Sequence, residues 1–391
     1  MDYYKRANEL KNETIEIRRY LHEHAETGLE LPAAVACVKE RLESCGIQPE
    51  SCGHGVTAKL GQGAPVLLLR ADMDALPVTE ESGETFACTT GNMHACGHDF
   101  HAAMLLTAAK MLKENEAALQ GTVKLMFQPA EETFEGSEDM MAHGILENPK
   151  PDACLAFHVA TGKLPVGAYL YNAGGTMMNS VDGFKILIRG KGTHGAYPQQ
   201  GIDPINIGVH VYLALQELIA RESSPQDVCT LTIGKFSAGN AANIIPDTAE
   251  LQGTLRTNSV AARENLLGRV KEVCRSVAET YRGTAEIQMI SSVPPLICDE
   301  DLTAEMAGYM AQAGIPDFHG MPGIEASASE DFALIAEKIP SAYMYLSAGF
   351  SDARGDYPAH HPKAQFDEAV CPIGAACYAY CAERWLEQHG N

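Results

Sequence analysis

Strand-like and helical segments alternate from about residue 60 to residue 180, and this alternation constrains the fold more than any other feature of the sequence. The strand-like segments are short and apolar, whereas the helical ones repeat apolar residues at helical spacing. In chain order these segments are PVLLLRAD, HAAMLLTAAKML, TVKLMFQ, SEDMMAHGIL and ACLAFHV. The β-α-β-α order predicts an α/β fold with a mostly parallel sheet flanked by helices.

Polar side chains stand at the ends of three of these predicted strands. Asp72 and Asp74 follow VLLLR, Glu131 and Glu132 follow KLMFQ, and His158 ends CLAF. Binding sites in parallel sheets lie beyond the carboxyl ends of the strands. The sequence therefore predicts that three strand ends converge on one crevice.

The pattern changes in residues 181–292, which predict a second, smaller domain. FKILIRG alternates like a strand, and Asp203 and Pro204 are typical of the N-cap and first position of a helix. Two more strands, another helix and a last strand give the order β-α-β-β-α-β, which predicts an inserted α+β domain with an open four-stranded sheet. Residues 1–180 and 293–391 are expected to form the first domain together, since this chain is long for one core.

Composition disfavours several classes of function. The net charge of −22 repels nucleic acid and anionic membrane surfaces. The amino terminus has one helical apolar stripe in place of a signal peptide, and no apolar run is long enough to cross a membrane. That stripe comprises Tyr3, Ala7, Leu10, Ile17 and Leu21. Twelve scattered cysteines without a C-x-x-C pair favour a reducing cytoplasm, and an open sheet edge favours a homodimer.

The segment HACGHDFH, residues 94–101, holds the densest group of metal-binding side chains. Cys96 and His98 are two residues apart, so in an extended loop both face the same side, and Gly97 permits a bend between them. His94 lies on that side too, and spacing alone leaves it open as a ligand. Sulfur, nitrogen and oxygen donors together suit zinc, manganese or cobalt.

The adjacent carboxylates of Glu131 and Glu132 diverge in extended backbone, so they can divide two roles. One can bind metal while the other faces the substrate and moves a proton, as metal-assisted amide hydrolysis requires. The alternative is a solvated acidic loop, because Glu135, Glu138 and Asp139 follow closely.

Other candidates are less distinct. Asp74 is placed to orient a ligating imidazole, and Asp72 is its equal by position. His158 is either a ligand or a core histidine. The same ambiguity holds for His360 in PAHHP, where His361 competes.

A set of motifs in this chain resembles one family in the same order. The motifs are RADMDALP, HACGHDFH, QPAEE, AFHV, GKGTHGAYP, NIIPDTAELQGTLRT, SEDF and HHPK. They are similar to dinuclear-metal amidohydrolases of the aminoacylase and carboxypeptidase clan, in the branch of hippurate hydrolase, auxin-conjugate hydrolases and bacterial N-acyl amino acid amidohydrolases. The resemblance extends from LHEHAETGLEL near residue 21 to HHPK at residue 360, and it implies a zinc-exopeptidase-like fold with residues 181–292 as a lid and dimerisation domain.

The resemblance also implies a metal centre with two divalent ions per subunit, which are zinc, manganese, cobalt or nickel. Its implied ligands are Cys96, His98, Glu132, His158 and His360. Glu131 corresponds to the general base. Carboxypeptidase members of the clan have a histidine ligand at the position of Asp72 and a bridging aspartate where this branch has cysteine, which implies that Cys96 is a bridging thiolate.

In the smaller domain, the resemblance implies that His194 approaches the scissile carbonyl from its own or a partner subunit and stabilises the oxyanion. Asn243 and Arg256 are implied to bind substrate, Arg256 through a carboxylate. A turn amide and a strand-surface ion pair are the structural alternatives for these two residues.

The implied activity is metal-dependent hydrolysis of the amide bond of N-acetyl or N-aroyl amino acids. N-acetyl-diaminopimelate deacetylation, dipeptide hydrolysis and aminobenzoyl-glutamate cleavage would use the same residues. A catalytically inactive metal-binding regulatory protein is the alternative from another class, and the intact Glu131 argues against it. A dinucleotide-dependent oxidoreductase would need a G-x-G-x-x-G turn, which GHGV and GQGAP do not supply.

Overall fold

The computed structural model describes residues 1–390. The helices are α1 (Tyr3–Glu9), α2 (Lys11–Glu23), α3 (Pro32–Ser44), α4 (His98–Glu114), α5 (Gly136–Ala142), α6 (Pro204–Glu217), α7 (Val260–Thr280), α8 (Glu300–Ala311), α9 (Ala333–Ala336) and α10 (Val370–His389). The strands are β1 (Glu50–Cys52), β2 (Gly55–Gly61), β3 (Val66–Asp72), β4 (Thr122–Gln128), β5 (Ala153–Pro165), β6 (Ala168–Tyr171), β7 (Thr176–Met178), β8 (Val181–Arg189), β9 (Thr193–His194), β10 (Cys229–Ala238), β11 (Ile244–Ile245), β12 (Thr248–Thr257), β13 (Thr284–Val293), β14 (Leu296–Ile297), β15 (His319–Pro322) and β16 (Ser341–Gly349).

The chain folds into two compact units. The larger unit contains Met1–Met177, Ile297–Glu325 and residues 331–390. The smaller unit contains Met178–Leu296 and the short segment Ala326–Glu330. Each unit has its own hydrophobic core.

The larger unit is built on an eight-stranded sheet in the order β1-β2-β4-β3-β5-β16-β6-β15. Its centre is parallel, because β3 runs parallel to both β4 and β5, and β5 runs parallel to β16. Helices α4 and α10 pack on each other and on these central strands, while α5 and α9 contact β4 and β16. Every residue of β3 and β4 is buried, which accounts for their nearly continuous apolar sequence. The predicted α/β class is thus confirmed.

The smaller unit has a four-stranded antiparallel sheet in the order β10-β12-β8-β13. The four strands of this sheet and helices α6 and α7 follow one another along the chain in the order β-α-β-β-α-β, as predicted, with the short strands β9 and β11 as additions. Helices α6 and α7 bury their apolar residues with those of the sheet in one core. Asp203 caps α6 by accepting the N–H groups of Ile205 and Asn206, and Pro204 is the first helical residue, as predicted.

The amino-terminal helical region differs from the sequence-based expectation. The amino-terminal stripe is buried as predicted, but its residues lie on two helices, α1 and α2, which meet at Leu10. The helix that begins at Pro204 ends at Glu217, and residues Leu218–Glu222 continue it as a π-helical turn. Residues 1–390 contain no helix with both the length and the apolar character that a membrane crossing needs.

Candidate metal centre

The carboxyl ends of β3 and β4 bring candidate ligands together with the first turn of α4. His158 joins them from the middle of β5, which continues to Pro165, so the prediction that His158 ends its strand is wrong. His98 is the first residue of α4, and Gly97 before it has φ +90°, a conformation that favours glycine. A Cβ at Gly97 would lie 2.4 Å from Cγ2 of Val159, so a larger residue would displace β5 at Val159. Gly97 is therefore required both for the bend and for the close contact with β5.

Two groups of potential ligands share Cys96. In the first group, the ligand atoms of Cys96, His98 and His158 all lie within 4.8 Å of one another, and Cys96 Sγ is 3.5 Å from His158 Nε2. In the second group, His360 Nε2 is 3.3 Å from Cys96 Sγ and 3.4 Å from Glu132 Oε1. A sulfur common to two three-residue groups is the arrangement expected of a bridging ligand.

Two atoms in these groups show that the residues fit a metal. His98 Nε2 and Glu132 Oε1 are buried and 4.0 Å apart, and neither has a hydrogen-bond partner among residues 1–390. Buried polar atoms are normally satisfied, so two such atoms with complementary ligand chemistry fit a bound ion. The contact of Glu132 Oε1 with His360 Nε2, at 3.4 Å, is to a member of its own ligand group. Imidazole, thiol and carboxylate donors together suit zinc, cobalt, nickel or manganese.

The two groups differ in exposure. His98 and His158 are buried, whereas the side chain of His360 is 54% exposed. His360 is held from a loop by its backbone, with φ +67° and its N–H donated to Ala95 C=O at 2.9 Å. The second group therefore opens to solvent, and the first is enclosed.

Asp74 links the two groups. Its Oδ1 lies 3.3 Å from His98 Nδ1, and its Oδ2 accepts the backbone N–H of Glu132 at 3.1 Å. A proton on Nδ1 leaves His98 Nε2 with the lone pair that a metal needs. Asp72 was an equal candidate for this role by sequence position, but its contacts are different. Its Oδ1 accepts a hydrogen bond from His101, and its Oδ2 accepts one from Arg70.

His158 is also held in the tautomer that a ligand requires. Its Nδ1–H donates to Val159 C=O at 2.7 Å, which leaves Nε2 free toward Cys96. Burial lowers the pKa of His158 well below its ordinary value, so the ring is neutral at pH 7. Its surroundings therefore favour metal binding and disfavour an imidazolium.

The other histidines of the two motifs lie outside the two ligand groups that share Cys96, although His94 Nδ1 is buried and has no hydrogen-bond partner among residues 1–390. His101 accepts the Val159 N–H on Nε2 and donates from Nδ1 to Asp72, so both ring nitrogens are occupied. His94 is buried with its ring 6.0 Å from that of His22, and burial lowers its pKa to about 3. His361 accepts the backbone N–H of Lys363 on Nδ1 and stacks on Tyr357.

We expect metal binding to be strongly pH-dependent. Burial first, and then Glu132, raises the pKa of the Cys96 thiol to about 12. Burial alone would lower the pKa of His98, but Asp72, Cys96 and the hydrogen bond to Asp74 together outweigh it, and the pKa is raised well above its ordinary value. Both groups carry protons near pH 7, and an ion must displace them.

Apparent metal affinity should therefore rise with pH, about tenfold per pH unit for each proton that the metal displaces. Chelator competition from pH 6 to 8.5 measures this slope. Calorimetry in buffers of different ionisation enthalpy counts the protons released. An affinity that stays constant over this range would contradict the prediction.

The three remaining candidates lie in the smaller unit. His194 and Asn243 adjoin in a short two-stranded sheet, where His194 pairs with Ile244 and Gly195 N–H donates to Asn243 C=O. His194 Nδ1 accepts the N–H of Ala196 at 3.1 Å. Arg256 lies on β12, and its Nη1 donates to Ser329 Oγ at 2.9 Å. The structure thus brings His194 and Asn243 together and places Arg256 on a different sheet.

Sequence reasoning missed a buried polar network behind the ligands. Arg70 bonds Asp72 at 2.7 Å and Asp331 at 3.3 Å, and its Nε donates to Gln128 at 2.9 Å. Arg70 is 1% exposed. An arginine within the otherwise apolar run VLLLRAD was the available signal, because buried charges are rarely found without partners.

Comparison with known proteins decides the family. Residues 68–384 match peptidase family M20/M25/M40. The chain belongs to this family. An N-acetyl-L-cysteine deacetylase of Bacillus subtilis is 35% identical to it, over 97% of this chain and 90% of the relative. An IAA-amino acid hydrolase of Arabidopsis thaliana is 36% identical, over 99% of this chain and 88% of the relative.

A solved structure agrees with these sequence matches. A Bacillus subtilis protein described as a dinuclear metal-binding peptidase of the M20 family has a TM-score of 0.82 and 30% identity. The match covers 97% of this chain and 99% of that one. The chain is therefore an M20 hydrolase, a metal-dependent amidohydrolase by family, and the resemblance drawn from its motifs is confirmed.

Proposed function

We propose that this M20 hydrolase removes the acyl group from N-acyl amino acids, with two divalent ions held by five residues. The ligands in this proposal are Cys96, His98, Glu132, His158 and His360. The observation that carries it is the pair of ligand groups that share Cys96, with the carboxylate of Glu131 beside them. Glu131 is 5% exposed, and its Oε2 is 3.9 Å from His98 Nε2.

Divalent ions in this centre would polarise the amide carbonyl and lower the pKa of water. Glu131 Oε2 takes a proton from the attacking water and returns it to the nitrogen of the leaving amine. Asp74 positions two of the proposed ligands, since one of its oxygens holds the ring of His98 and the other accepts the backbone N–H of Glu132. Glu132 is thereby held beside Cys96, and Glu131 is the residue proposed to carry the proton.

In this proposal His194 stabilises the oxyanion, from its own or a partner subunit. Because Nδ1 of His194 accepts the Ala196 N–H, a neutral ring carries its proton on Nε2. The side chain is exposed, so this N–H is available to a substrate oxygen. Asn243 and Arg256 are the proposed substrate-binding residues, with the guanidinium of Arg256 suited to the free carboxylate.

The substrate class is supported by what the relatives are named for. A deacetylase of N-acetyl-L-cysteine and a hydrolase of IAA-amino acids both act on an acyl group joined to the nitrogen of an amino acid. The small acetyl group and the large aromatic acyl group leave acyl size open for this chain. Dipeptides, N-acetyl-diaminopimelate and aminobenzoyl-glutamate present the same amide beside a carboxylate.

A substrate panel tests the proposal. We expect metal-loaded enzyme to release free amino acid from N-acetyl and N-benzoyl amino acids at least 100-fold faster than chelator-treated enzyme, since the ions supply several kcal/mol of charge stabilisation. Amine release with ninhydrin or a fluorogenic reagent measures it. The methyl esters of the same substrates are matched controls for the carboxylate. Release from dipeptides alone would contradict the acyl class, and no metal-dependent release at all would contradict enzymatic activity.

The donor atoms of the proposed ligands are compatible with several metals. Cysteine and histidine favour zinc, cobalt or nickel, whereas Glu132 and Asp74 beside them are compatible with manganese. Elemental analysis of protein purified without chelator is expected to give two equivalents of one of these metals per chain.

All twelve cysteines are free thiols in the described structure, which supports a reducing cytoplasm.

We also propose a homodimer formed through the smaller unit. Helix α6 exposes Val209, Tyr212 and Leu213 at 40–55%, and β10 is an edge strand of the sheet. Phe236 of β10, 41% exposed, packs where a Cβ at Gly208 of α6 would lie, so the apolar surface is continuous. Unpaired edges and apolar helix faces are typically covered by a second copy. Sedimentation equilibrium should give twice the chain mass, and a monomer at micromolar concentration would contradict this.

A further inference from the structure

Side chains bridge strands β3 and β5 beyond the point where their backbone pairing stops. The ladder between these strands runs as far as Arg70 and Ala156. At the next position the Tyr378 hydroxyl accepts the N–H of Phe157 at 3.1 Å and donates to the C=O of Arg70 at 2.7 Å. A tyrosine from α10 thus takes the place of a backbone rung.

His101 forms the following rung, and it is the last one before the metal centre. Its Nε2 accepts the N–H of Val159 at 2.8 Å, and its Nδ1–H donates to Asp72 Oδ1 at 2.5 Å. The other oxygen of Asp72 is held by Arg70 at 2.7 Å. All of these side chains are at most 1% exposed, so the geometry is fixed from β3 through the imidazole to β5.

Val159 connects this rung to a candidate ligand. The C=O of Val159 accepts the Nδ1–H of His158, so one residue of β5 is held by His101 on its N–H and by His158 on its C=O. The ring of His101 also packs 4.5 Å from that of His158 and 5.3 Å from that of His98. It lies against both imidazoles of the first ligand group and supplies no lone pair of its own.

We propose that His101, held by Asp72, is a positioning residue that fixes β5 at Val159 and thereby orients His158 toward the other members of the first ligand group. This inference rests on the metal centre proposed above. It predicts that His101 controls the affinity of one ion and not the other, because the second group of Cys96, Glu132 and His360 has no member on β5. Partners that orient a ligand typically change metal affinity 10- to 100-fold.

The experiment is a Co²⁺ titration of the full-length protein, followed through the ligand-field and thiolate-to-cobalt absorption bands. His158→Ala first identifies which of two binding steps belongs to the first ligand group. His101→Phe keeps a ring of similar size and removes both hydrogen bonds. We expect it to weaken that step 10- to 100-fold and to leave the other step unchanged.

Two further variants separate aiming from general loosening. His101→Gln has a donor and an acceptor separated by one carbon, as imidazole has, and should recover most of the lost affinity. Tyr378→Phe removes the adjacent rung of the same gap, and should lower the unfolding midpoint while both cobalt steps remain. Equal weakening by Tyr378→Phe and His101→Phe, or no recovery in His101→Gln, overturns the inference.

Failure of this inference and failure of the metal centre give different results. If His158→Ala abolishes one step but His101→Phe binds both ions as the wild type does, only the positioning role is wrong. If the wild type shows no step that depends on His158, the proposed ligand set is wrong, and the inference falls with it.

Discussion

Replacing Glu131 by glutamine should lower kcat by about 10²- to 10⁴-fold while both metal ions stay bound. Glutamine has nearly the same shape, but its amide can neither accept the proton of water nor return it to the leaving amine. Glu131 is a buried carboxylate next to His98 Nε2. Steady-state kinetics on the best N-acyl amino acid, with metal content measured on the same samples, separate the loss of a base from the loss of an ion.

Glu138→Gln is the matched control, because Glu138 is an exposed carboxylate a few residues further along the same segment. Its kcat and metal content should equal those of the wild type. KM for Glu131→Gln should change little, since a proton-transfer residue acts mainly in the transition state. Equal activity of wild type and Glu131→Gln would remove the general base from the proposal. A loss of activity accompanied by loss of metal would instead assign Glu131 to the ligands.

Strands β3 and β4 could be predicted from sequence because each is buried along its whole length. VLLLRAD and TVKLMFQ show the continuous apolar character that a two-sided burial imposes. The boundary between α1 and α2 could not be predicted in the same way. Leu10 is itself buried, and the apolar stripe continues through it, so periodicity gives no sign of the break.

The candidate ligands could be identified from their positions in the sequence motifs and after the predicted strands. Their individual roles depend on three-dimensional contacts that these positions do not encode. Asp72 and Asp74 are equivalent by position, and they differ only because one faces Arg70 and His101 while the other faces His98 and Glu132. The histidine at position 101 belongs to the densest ligand motif of the chain. Its nitrogens are nevertheless occupied by the backbone of β5 and by a carboxylate, which only the fold reveals.

Loss of the shared sulfur should have an effect as large as loss of the base, by a different route. Cys96 is common to both ligand groups, so in the proposed metal centre Cys96→Ala would remove one donor from each ion at once. We expect both metal-binding constants to fall and the metal content after dialysis to drop well below two equivalents per chain. Activity should fall by at least about 10³-fold, because polarisation of the carbonyl and activation of water by the ions are lost together. Removal of an outer ligand such as His360 should affect one ion only.

Cys96→Asp distinguishes a bridge from a ligand to a single ion. A carboxylate has two oxygens and can join two cations, whereas the single hydroxyl of Cys96→Ser remains protonated and binds weakly. Two equivalents of metal and partial activity should therefore return in Cys96→Asp but not in Cys96→Ser. The pH dependence separates them further, because an aspartate needs no proton removed near pH 7 and the thiol, with its pKa of about 12, does. If Cys96→Ala still binds two ions tightly, the sulfur is not shared, and the two groups are separate sites.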